Sequence, residues 1–87
     1  MSFVTVQQLY ADVEKIASKS PQQFVDDAPK ALFGANLDQA QAKHPEDPII
    51  MALQPAPTET RWSDLLIRIG QLRAALSEHE EISFSVL

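Results

Sequence analysis

The chain has 87 residues, 45% of them hydrophobic, with no cysteine and with twelve carboxylates against seven lysines and arginines, a formal charge of −5. That length holds one domain around one core. The acidic balance opposes binding to phosphate backbones, and the lack of cysteine excludes disulfides, thiolate nucleophiles and cysteine-based zinc sites. The N-terminus carries no basic leader with an apolar run behind it, and no stretch approaches ~18 apolar residues, so the cytoplasm without membrane attachment is the expected location.

In chain order, a first helix is expected over about 5–19. Thr5 and Gln8 have capping-box spacing, Val4 and Leu9 can staple across the cap, and Val6, Leu9, Tyr10, Val13, Ile16 and Ala17 form an apolar stripe. Residues 2–6 compete as a third strand. Ser20-Pro21-Gln22-Gln23 reads as a second start, with Ser20 as cap and Pro21 in the first helical position, giving a helix over about 21–33. Pro29 predicts a break near Asp27-Ala28, and Gly34 an end. Asn36 can cap a short, weakly apolar helix over about 37–43.

Ile49 to Leu53 is an apolar run fenced by prolines, which favours a buried strand over 49–54. Asp47 as cap and Pro48 at the first position offer a helical turn instead. After an extended linker at 55–59, Thr60 is the expected cap of a helix over about 61–79. Trp62, Leu65, Leu66, Ile69, Leu72 and Leu76 make this helix the organiser of the core. Ile82, Phe84 and Val86 then alternate with Ser83 and Ser85, the period-two pattern of a strand over 82–87, which needs 49–54 as its partner. The expected fold is therefore α+β and helix-dominated: three to four helices packed with a small sheet from 49–54 and 82–87.

Catalytic constellations are poorly represented. His44 lies in a proline-rich loop, and His79, between Glu78 and Glu80, has no second histidine at helical spacing, so it reads as a solvated helix end rather than a metal ligand. The pairs Asp26-Asp27 and Glu46-Asp47 read as surface charge, and two glycines cannot make a phosphate loop. No enzyme, cofactor or metal is expected. Two features of the 61–79 helix exceed a simple core stripe: Arg73 falls among the apolar residues, and Ile67, Gly70 and Ala74 share a second face. With Arg68 they are the candidate partner-binding residues. The expected function is a small non-catalytic interaction or regulatory module that binds a protein partner or a second copy through this helix. The alternatives are a ligand-binding or catalytic domain with a pocket against the 49–54 and 82–87 segments, and an acidic inhibitor or antitoxin-like protein.

Overall fold

The computed structural model describes the backbone over residues 2–86 and the side chains over residues 4–79. Four helices follow one another: α1, Ser2–Lys19; α2, Asp27–Lys43; α3, Pro48–Ala52; and α4, Trp62–Val86. Among the described residues there is no sheet, and extended pairing is confined to one antiparallel bridge between Phe24 and Arg61.

α1 begins before the expected cap at Thr5, because neither proline nor glycine stands upstream to stop the helix. It buries Val6, Leu9, Val13 and Ala17, whereas Ile16 stays 42% exposed at the rim of the stripe. The Ser20 N–H donates to the Ile16 carbonyl at 2.9 Å and closes α1, and Gln23 N–H donates back to the Ser20 carbonyl at 3.2 Å. Ser20-Pro21 therefore makes a turn, not a helix start. Proline at the second position presets that turn's backbone.

α2 starts at Asp27, so Pro29 is its third residue, in the turn whose N–H groups have no intrahelical acceptor. The expected break is thus a beginning. The helix continues through Gly34, whose φ is not positive, and through Asn36. Asn36 is buried and donates from Nδ2 to the Leu32 carbonyl at 2.8 Å, so it is satisfied inside the helix and does not cap a new one. Phe33, Leu37 and Ala40 carry the buried face.

The expected sheet is absent because both of its strands are helical. At 48–52 the cap decides: Asp47 Oδ1 accepts from the N–H groups of Ile49 at 2.9 Å and Ile50 at 3.2 Å, and Pro48 fills the first position. With no partner strand, 82–86 continues α4, which meets no helix breaker after Gly70. Leu87 lies outside the described residues. Thr60 does not cap α4 either; its hydroxyl donates to the Pro57 carbonyl at 2.6 Å, while Leu65 N–H takes the Arg61 carbonyl at 3.0 Å.

α4 packs principally along α1. Its first residues meet the segment just after α1, with Trp62 N–H on the Gln23 carbonyl and Ser63 N–H on that of Pro21, while Gly70 lies against Tyr10 at mid-helix. The two helices are therefore antiparallel. At ~1.5 Å per residue, 25 residues span roughly 37 Å, which sets the long dimension of the 42 × 22 × 17 Å molecule. Leu65, Ile69 and Leu72 are fully buried, with Trp62, Ala75 and Leu76 beside them, and Phe33, Leu37 and Ile50 close the core from α2 and α3. Ile69→Ala is expected to cost about 2–5 kcal/mol in chemical unfolding. Gly34→Ala is expected to add about 0.5–1 kcal/mol, because a Cβ there meets nothing within 4 Å and alanine is the better helix former.

Candidate functional site

The loop between α1 and α2 is clasped to the start of α4. Val25 N–H donates to the Thr60 carbonyl at 2.8 Å, Arg61 Nη1 donates to the Gln22 carbonyl at 2.6 Å, and the Arg61 guanidinium lies 4.7 Å from the Phe24 ring centre. The clasp fixes where Trp62 enters the core. Trp62 forms part of the wall of a groove of about 260 Å³ between α1 and α2, with Leu9, Val13 and Ile16 from α1 and Ala28, Pro29 and Leu32 from α2. Leu32 is 50% exposed, and among the described residues Asp12 is the one charged side chain lining the groove.

The expected partner-binding residues have different surroundings within the chain. A Cβ on Gly70 would stand 3.3 Å from Tyr10 Cε2, so the glycine admits the tyrosine ring. The Arg73 guanidinium covers the same ring, 4.5 Å from its centre. Arg68 Nη1 donates to the Gln54 carbonyl at 3.2 Å. Ala74 is exposed, and Ile67 is 60% exposed. Ile67 and Arg68 share a second cleft, about 290 Å³, with Glu59, Asp64 and Gln71.

A third feature joins residues remote in sequence. His79 on α4 places Nε2 2.8 Å from Asp47 Oδ2, and its ring stacks on that of His44 with centres 3.8 Å apart and planes 19° from parallel. His44 Nδ1 lies 3.9 Å from Glu46 Oε2. The hydrogen bond from His79, with those from the Ile50 and Ile49 N–H groups, holds the Asp47 carboxyl below the ordinary carboxylate range against the opposing effect of burial. An ionised carboxylate only accepts, so the shared hydrogen belongs to His79 Nε2. In the sequence these histidines stand apart, one in a loop and one at an expected solvated helix end, and only the Asp47-Pro48 cap signals one member of the cluster. Among the described residues no three histidine, aspartate or glutamate side chains are grouped to hold a metal ion. No protein-family model matches the chain, and no curated protein or solved structure matches it.

Because the folded state lowers the Asp47 carboxyl, its stabilising effect is fully present above the unfolded value of about 3.9 and is lost as pH falls through the lower folded value. Asp47→Asn is therefore expected to flatten the acid limb of stability. Thermal melts of both proteins from pH 6 to pH 2 measure the difference in slope.

Proposed function

We propose that this protein is a small non-catalytic interaction module that accepts an apolar segment of a protein partner in the groove between α1 and α2. The groove carries the reading: Ile16 and Leu32 keep much of their apolar surface in water, beside the buried Leu9, Val13 and Trp62. Three of the five residues on α4 that sequence patterning nominates are engaged within the chain, Gly70 and Arg73 by Tyr10 and Arg68 by Gln54. That moves the preferred contact from the α4 face to the groove whose wall includes the start of α4. An amphipathic helix suits such a groove, with a basic residue placed to meet Asp12.

The test compares wild type with Leu32→Glu and Ile67→Glu, each at an exposed position and so expected to change the unfolding free energy by no more than about 0.5 kcal/mol. Sedimentation reads self-association, and affinity capture followed by titration of the captured partner reads binding. Leu32→Glu is expected to weaken association at least about tenfold, the scale of losing one apolar anchor, and Ile67→Glu to leave it unchanged. The reverse pattern would return the contact to the α4 face. A strict monomer with no partner at micromolar concentration would overturn the module itself.

A further inference from the structure

We infer that His44, Asp47 and His79 form a proton-operated latch that holds α3 against α4, most firmly when the histidine pair carries a single proton. Asp47 sits at the joint. Its Oδ1 caps α3 while its Oδ2 receives His79 from α4, so one carboxylate ties the start of a five-residue helix to the last described side chains of a long one. Gln41 ties the other end of α3, donating from Nε2 to the Ile50 and Leu53 carbonyls at 3.2 and 3.1 Å.

The charge state of the pair sets the strength of the joint. With both rings neutral, His79 makes a hydrogen bond from an uncharged donor. One proton on His79 Nδ1 turns this contact into an imidazolium–carboxylate bond at the same 2.8 Å, which is the stronger kind. A second proton, on His44, places two cations in stacked rings 3.8 Å apart, and their repulsion opposes the docked geometry. Among the described residues, the charged groups beside the cluster in space or in sequence are these. Glu46 is exposed and stands 3.9 Å from His44; α3 itself, PIIMA, has no titratable side chain; Lys43 and Glu78, the sequence neighbours of the two histidines, are exposed. His44 also ends α2, where the helix dipole favours its cation.

What the latch controls is apolar surface. Ile50 is fully buried, while its neighbours Ile49 and Met51 are exposed, so release of α3 would join all three into one patch. Histidine is the side chain that changes charge across pH 5–8, which makes this joint responsive where the carboxylates are not.

The experiment follows the imidazole proton resonances of His44 and His79 and the Ile50 amide by NMR from pH 8.5 to pH 4.5, on the full chain. His79→Gln keeps an N–H donor for Asp47 but removes the titrating ring. In that variant the His44 step is expected to move to higher pH, because the stacked cation is gone. In wild type the Ile50 amide is expected to follow both histidine steps, and unfolding free energy to pass through a maximum between them. An unmoved His44 step, or an Ile50 amide indifferent to both histidines, would overturn the latch. Should His79→Gln not fold, His44→Phe, which keeps a stacked ring without a proton, gives the complementary reading: the acid-side fall of the maximum should disappear.

Discussion

The connection from α3 to α4 imposes the constraint that the rest of the fold answers. Residues 53–61 must bring α4 back antiparallel along α1, and they do so through two prolines with no helix or sheet of their own. Such a segment presents carbonyls without regular partners, and each one shielded from water needs a donor from elsewhere. The donors come from two helices, α2 and α4, and from the α1–α2 loop: Gln41 to Leu53, Lys30 to Thr58 at 2.6 Å, Arg68 to Gln54, and Val25 N–H to Thr60. The linker is therefore a template to which the helices are tied. Those ties hold the linker beside the start of α4, where Trp62 enters the buried core.

The same economy explains why the arginines at the start of α4 and along it contact the chain itself. In a chain this small the core cannot supply much surplus, so long polar side chains contribute by covering aromatic rings and by closing backbone hydrogen bonds. Arg61 and Arg73 each lie over a ring, and Arg68 is spent on a carbonyl. Carboxylate contacts, the usual expectation for arginine, are taken up among the described residues by Lys30, with Asp27 at 3.4 Å, and by the two histidines.

The organising helix was legible in the sequence because its stripe is long and uninterrupted, and so was the stripe of α1. Local signals with two meanings were not. Pro29 marks a helix boundary either way, and only the packing of Phe33 and Leu37 settles that the helix lies after it. Gly34 and Asn36 resemble terminators, yet tertiary burial carries α2 through both. The two expected strands depended on each other, so the Asp47 cap that turned one into α3 left the other without a ladder. The histidine pair was hidden for a different reason: its members are 35 positions apart, and nothing in local spacing announces a contact made by the end of one long helix.

The antiparallel pairing of α1 with α4 also has a temporal side. Its two halves are separated in the chain by residues 20–61, so the main helix–helix contact closes a long loop. During synthesis at about 5–20 residues per second, the stripe of α1 waits roughly 3–12 s for the residues that will cover it. Throughout that interval Val6, Leu9 and Val13 are open to other apolar surfaces, and α2 is the one long helix already made. The nascent chain thus passes through a stage in which the residues that α4 later claims are without that cover.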